Sequence, residues 1–281
     1  MRKLTKLLKS ILHQAFSRFS WPLKAFREHL IKSSYLDRTV TVDVYPARWR
    51  STDESTQLFC FLDGQDVRQM NIAAHLKRFP ANIMVVGIHA NAQRMEEYGT
   101  ISQADYAGRG AKAAASARFI IEELLPYLEQ HYAFRPKAKN SYVAGFSLSG
   151  LLAFDLAWHY PQHFATAGVF SGALWWRSKK FRKAEPDANR ILHTQVAAAN
   201  ELPDARFWFQ AGTEDEQEDR NNNGIIDAID DTLQLINLLK DKGIATTDVY
   251  YLEMEGGRHE PATWARALPH FIQWSLRQPM T

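Results

Sequence analysis

The sequence predicts an α/β fold: a mostly parallel central sheet with helices on both faces and no large cap domain. Short continuous apolar runs such as "LFCFL" and "NIMVVGI" read as strands covered on both faces. Helix-like segments alternate with such runs along the chain, which is the pattern of parallel strands joined by helical crossovers. With 46% hydrophobic residues in 281 positions, one domain of this size has enough apolar material for its core.

Taken in order, "RTVTVDVYP" alternates with period two and stops at Pro46, an outer antiparallel strand. "STQLFCFLDGQ" is a central strand ending in a turn, and "NIMVVGIHA" is a second one. Residues 112–131 are helix-like, with Pro126 expected to bend or break them. Then come a strand over 141–146, a helix from about 148 to 159, and strands over 165–171 and 206–211. A helix over 228–242, a strand over 247–253 and a final helix over 261–276 complete the series. The longest connection, 173–204, contains "ANRILHTQVAAAN", which reads as helical. There is no internal repeat, so residues 34–281 form one domain.

Residues 1–33 read as a basic amphipathic helical arm. Residues 1–32 hold eight Lys/Arg against the single acid Glu28, a charge of +7 that leaves −4 for the rest of the chain. The basic excess therefore implies no nucleic-acid binding by the domain. Lys9 and His13 interrupt the apolar stretch, so it does not read as a secretory signal. Leu4, Leu7, Leu8, Ile11, Leu12, Ala15, Phe16 and Phe19 recur at helical spacing. Such a helix could cover a groove on its own domain, pack on a second subunit, lie on an anionic membrane surface, or stay disordered. The expected location is cytoplasmic, with peripheral membrane contact through the arm as the variant. Cys60, the only cysteine, excludes an intramolecular disulfide and reads as a core thiol.

The chemistry centres on "YVAGFSLSGLLAF", residues 142–154, a buried strand running into a helix through a turn of small residues. A serine attacks only when a base takes its proton and donors stabilise the oxyanion. A sharp strand-to-helix turn lifts Ser147 off the sheet and aims the N–H of Leu148 at that oxyanion. Alone, "GFSLSG" also fits a non-catalytic small-residue turn. A relay needs an acid and a histidine later in the chain, each after a strand. "ARFWFQAGTEDE" supplies Asp215, with Glu214, Glu216 and Glu218 near enough to take its role, and "DVYYLEMEGGRHEPATW" supplies His259. The second oxyanion donor is expected at Gln65 in "FLDGQD", with Gly64 permitting the turn; the bland reading of Asp63-Gly64 is a plain turn.

These segments resemble the putative esterase family of α/β-hydrolases, the group of enterochelin esterase, feruloyl esterases and mycolyl transferases. The resemblance covers roughly residues 34–276 and rests on "SSYLDRTVTVDVYP", "LDGQ", "NAQRMEEYGT", "GFSLSG", "YPQHFATAGVFSGALWW" and "GGRHEPATW". It implies an α/β-hydrolase fold, a Ser147–Asp215–His259 triad, Leu148 and Gln65 as oxyanion donors, and a small-molecule ester as substrate. It also implies pocket roles for Arg94, Tyr98, Trp175 and Trp176. Ser149 stands where the family has glycine, and is expected to be tolerated and revertible to glycine without loss of activity. The expected function is a serine carboxylic-ester hydrolase working through an acyl-enzyme, with no cofactor required for catalysis. The alternatives are an acyltransferase of the same fold or a non-catalytic, membrane-apposed binding protein.

"DRNNNGIIDAID" places Asp219, Asn221, Asn223, Gly224, Asp227 and Asp230 at EF-hand spacing, the pattern of a structural calcium loop. Asp replaces the usual Glu at the last position and no clear helix precedes the loop. An Asn-Gly turn before a helix with acids in its first turn explains the same residues without metal.

Overall fold

The computed structural model describes residues 26–47, 56–132 and 134–277. Eight strands form one sheet in the order β1-β2-β4-β3-β5-β6-β7-β8. They are β1 (Arg27–Ser33), β2 (Arg38–Tyr45), β3 (Gln57–Leu62), β4 (Ile83–Ile88), β5 (Ser141–Phe146), β6 (Thr166–Phe170), β7 (Arg206–Glu214) and β8 (Val249–Arg258). β1 and β2 pair antiparallel, β2 joins β4 antiparallel, and every other neighbouring pair is parallel.

The period-two alternation of the strands divides the core. Leu58, Cys60 and Leu62 of β3 face one layer, while Phe59 and Phe61 face the other. The first layer contains α4 (Ala113–Arg118), α5 (Leu125–Tyr132), α6 (Leu148–His159), α7 (Ile191–Ala198) and α8 (Asp227–Lys242). The second contains α1 (Gly64–Gln69), α2 (Ile72–Leu76) and α9 (Pro261–Ser275). A short α3 (Arg94–Glu97) follows β4. Every parallel connection runs through helix, as a sheet buried on both faces requires.

Three expectations change. Residues 27–33, assigned to the helical arm, form edge strand β1, so β2 is the second strand rather than the outermost. Alternation in "REHLIKS" is weak because an edge strand exposes most of its residues, Leu30 included. Residues 1–25 lie outside the described residues, and with them the amphipathic arm. Pro126 neither ends nor breaks its helix. A π-helical segment, Phe119–Leu124, joins α4 to α5 just before it. The wider turn shifts the hydrogen-bond ladder at the point where proline offers no N–H. Finally, β7 and β8 run longer than the apolar runs suggest, and the Gly-Gly pair lies inside β8 rather than in a loop after it. Among the described residues no helix is long and apolar enough to cross a membrane.

Candidate active site

The C-terminal ends of β3, β5, β7 and β8 carry the residues singled out in the sequence. Ser147 follows β5 with φ 56° and ψ −120°, a conformation that costs an L-residue energy and is held by its surroundings. Its N–H donates to the Phe170 carbonyl at 2.9 Å, and its carbonyl accepts from Gly150 at 3.0 Å and Ala173 at 3.0 Å. Gly145 is required for space: a Cβ there would overlap the backbone of Ser149 and Gly150. Leu148 opens α6, so its N–H is among those with no acceptor inside the helix.

Ser149 is more than a tolerated substitution. Its buried hydroxyl donates to the Phe146 carbonyl at 2.8 Å and lies 2.7 Å from the Phe146 N–H, as its acceptor. The side chain closes the turn that a glycine at this position would leave to backbone alone. The single hydroxymethyl group looked incidental because the sequence does not show which way it points.

After β3, Asp63 rather than Gly64 takes the left-handed conformation, at φ 56° and ψ 52°. Gly64 is needed for proximity, since a Cβ would overlap the backbone of Gly87 on β4. Asp63 is fully buried and carries an ion pair: Arg94 Nε donates to Oδ1 at 2.9 Å and Nη2 to Oδ2 at 2.7 Å. The same Nη2 donates to the Phe146 carbonyl at 3.2 Å. Gln65 is pinned by its side chain, Nε2 donating to Asp63 at 3.0 Å and Oε1 accepting the Ala90 N–H at 3.1 Å. Its own N–H sits in the first turn of α1, beyond the reach of intrahelical acceptors.

The acid and the histidine approach from β7 and β8. Between Gly212↔Met254 and Glu214↔Arg258 the register slips, so β8 carries extra residues here. That bulge turns the strand end and delivers His259 beside Asp215. His259 Nδ1 lies 4.0 Å from Asp215 Oδ1, with the histidine side chain 41% exposed and the carboxylate buried. Asp215 Oδ2 accepts the Gly212 N–H at 2.8 Å, the Ser171 side chain helps hold the carboxylate charged, and Oδ1 is buried with no hydrogen-bond partner among the described residues. Ser171 accepts from Trp264 Nε1 at 3.0 Å. Trp264 stacks on Phe146 at 4.9 Å and meets the His259 ring edge-on at 5.5 Å. Burial raises the Asp215 carboxyl above its ordinary range, against the Gly212, Ser171 and His259 contributions. Burial likewise lowers the His259 imidazole, helped by Arg94 and opposed by Asp215.

The neighbouring acids face elsewhere. Glu214 pairs with Arg258 at 2.9 Å on the surface. Glu216 takes a hydrogen bond from the Ala228 backbone and is pushed up to about 7, by burial first and by the charges of Asp227, Glu218 and Asp231. Asp215 is the carboxylate that meets the histidine. Ser171 is absent from the sequence reading, although its place at the end of β6 in "VFSG" is a signal; Asp63 and Ser149 do more than the turn and the substitution read there.

Of the pocket candidates, Arg94 and Trp175 reach the surface, with Trp175 40% exposed. Tyr98 and Trp176 do not. Tyr98 is 3% exposed and its hydroxyl accepts the Asp63 N–H at 3.3 Å. Trp176 is fully buried, its ring against Gly99 and Gly110 and under the Arg109 guanidinium at 4.9 Å. Tyr98 supports the Asp63 turn, and Trp176 packs beneath the loop that carries Gly99 and Gly110.

In the 219–230 loop the oxygen side chains bond backbone. Asp219 accepts from Asn223 at 3.1 Å and Gly224 at 2.9 Å, and Asn223 accepts from Ile225 at 2.8 Å. Asn221 accepts from Asn223 at 3.1 Å and donates to Asp230 at 3.0 Å. The Arg220 guanidinium pairs with Asp227 at 3.0 Å, Asp187 at 2.6 Å and Asp231 at 2.6 Å, and Arg190 pairs with Asp231 as well. Among the described residues no three His, Cys, Asp or Glu side chains converge as a metal cluster.

Comparison with known proteins agrees with this architecture. The enterobactin esterase FES of Shigella flexneri superimposes with a TM-score of 0.67 at 20% identity, over 90% of this chain and 60% of that one. An IroE-like serine hydrolase of Shewanella oneidensis gives 0.64 at 15% identity, over 89% and 79%. A ferulic acid esterase gives 0.65 at 13% identity, over 89% and 97%. At these identities the likeness is one of fold, and this chain spans about three-fifths of the length of the Shigella protein. The family model "Putative esterase" matches residues 33–274, nearly the whole described domain, and the chain belongs to the putative esterase family.

Proposed function

We propose that the protein is a serine carboxylic-ester hydrolase that works through an acyl-enzyme on Ser147. The observation that carries the reading is the strained Ser147 backbone at a strand-to-helix turn, at the same sheet end as a buried Asp215 facing His259. His259 takes the Ser147 proton as Oγ bonds the ester carbonyl carbon. The oxyanion so formed is met by the N–H groups of Leu148 and Gln65. Collapse breaks the C–O bond to the alcohol, which leaves with the proton held by His259. Water then repeats the cycle on the acyl-serine, releasing the acid and restoring both residues. Asp215 orients the imidazole and stabilises its cation. The 4.0 Å separation must shorten for this, as catalytic hydrogen bonds commonly do when substrate binds.

Covalent labelling tests the reading. A fluorophosphonate is expected to modify Ser147, and p-nitrophenyl ester hydrolysis is expected to vanish in Ser147→Ala and His259→Ala. An unlabelled serine, with background hydrolysis unchanged in both variants, removes the proposal.

No step is assigned to a metal. A structural calcium ion held by Asp219, Asn221, Asn223, Asp227 and Asp230 is supported by their spacing, and Arg220 already supplies positive charge to Asp227. A melting temperature higher in calcium than in chelator supports the ion; equal temperatures leave Arg220 as the cation of the loop.

A further inference from the structure

We infer that Arg94 is a positioning residue, which ties the oxyanion loop to the nucleophile elbow and keeps the two backbone donors at their working separation. This rests on the function proposed above. The two segments are separate in sequence, and each places its donor close after a residue that Arg94 holds. Gln65 lies two residues beyond Asp63, and Leu148 two beyond Phe146. One guanidinium reaches both: Nε and Nη2 clamp the Asp63 carboxylate, and Nη2 also bonds the Phe146 carbonyl.

The fork geometry is essential to that span. A planar guanidinium offers parallel donors to a carboxylate and a further direction to a carbonyl, whereas an ammonium is a point charge. Asp63 has strong need of it, because its carboxylate is fully buried and its backbone is left-handed. Tyr98 completes the arrangement, accepting the Asp63 N–H with its ring 5.4 Å from the guanidinium. A side chain so engaged has little freedom to swing toward a substrate. Its charge nevertheless acts on the catalytic base: Asp215 and Arg94 are the charged groups that act on His259, with opposite signs.

Steady-state kinetics on a small p-nitrophenyl ester, across the titration range of histidine, separates this from a substrate contact. Wild type, Arg94→Lys, Arg94→Met and Asp63→Asn are compared, each also timed for fluorophosphonate labelling. Arg94→Lys is expected to lose about 10²-fold in kcat, the scale of a displaced oxyanion donor, with KM close to wild type and the acidic limb in place. Arg94→Met is expected to lose as much and to move the acidic limb to higher pH, because the charge that lowers His259 is gone. Asp63→Asn shares the kcat loss, and adding Arg94→Lys to it costs little more.

A loss confined to KM, or an Arg94→Lys variant equal to wild type, overturns the inference. Should Arg94→Met fail to fold, the kcat and KM of Arg94→Lys and Asp63→Asn decide alone. Failure of wild type to label at Ser147 defeats the proposed function itself. Labelling of wild type and Arg94→Lys at equal rates defeats only the role of Arg94.

Discussion

Ser147 and Leu148 sit on backbone that neighbouring backbone presses into place, whereas His259 ends a bulged strand with a ring 41% exposed and 4.0 Å from its acid. The elbow half presents the Leu148 N–H and a serine one bond from its fixed Cα, so close approach of β5 and α6 is enough to place them. The relay half presents side-chain atoms, and these are fixed only as well as their own contacts allow. Asp215 has Gly212 and Ser171; His259 has chiefly the edge of Trp264. For the proposed mechanism the first half is already in place, and the second needs about one ångström of closure to meet hydrogen-bonding distance.

The largest expected effect lies in the relay. Asp215→Asn keeps the shape and removes the charge that orients and stabilises the imidazolium, so kcat/KM should fall about 10³- to 10⁴-fold. Glu214→Gln and Glu216→Gln should remain within a few-fold of wild type in the same assay. A collapse in either glutamine variant, with Asp215→Asn active, would transfer the role to that acid.

Next comes a test of the elbow by crowding. Gly145→Ala puts a methyl group against the Ser149 carbonyl, which is backbone and cannot swing away. Overpacking of this kind costs about 1–3 kcal/mol, and at a backbone contact the upper end is expected. For a chain of this size that lowers the melting temperature by roughly 5 °C in calorimetry. An unchanged melting temperature would show that the turn is looser than its geometry implies.

Ser149→Gly is a smaller change to the same turn. It strands the Phe146 N–H and removes one of two donors from the Phe146 carbonyl, the other being Arg94. About 1–3 kcal/mol of stability should be lost, read from denaturant midpoints. Retention of full stability would restore the simpler view of Ser149 as a tolerated substitution.

The sheet was legible because its strands are buried on both faces and leave nearly unbroken apolar runs; β5 and α6 begin and end where their patterns do. The edge strand β1 was not, since an exposed edge has no second face to write into the sequence. The placement of Ser147, Asp215 and His259 after β5, β7 and β8 is legible, because it follows from connectivity. The burial of Trp176 and Tyr98, to which the resemblance gives pocket roles, is not legible for the converse reason. An aromatic ring near a site has the same letter whether it faces solvent or wedges a loop from behind, and only Trp175 is exposed. The Asp63-Gly64 pair reads as a turn on the strength of its glycine, yet the aspartate is the residue that adopts the unusual backbone.

The smallest effect is a displacement of a pH profile, and it tests the relay directly. Burial lowers the His259 imidazole below its ordinary value of 6.5, Arg94 lowers it further, and Asp215 works against both. The base functions when neutral, so the acidic limb of kcat/KM in the free enzyme should lie below pH 6.5. Removing the Asp215 charge takes away the one contribution that raises the imidazole, so the residual activity of Asp215→Asn should show a limb lower still. An unmoved limb in that variant would mean that Asp215 is held protonated beside the histidine. The 4.0 Å gap would then separate a neutral acid from a neutral base, not a carboxylate waiting for its proton partner to form.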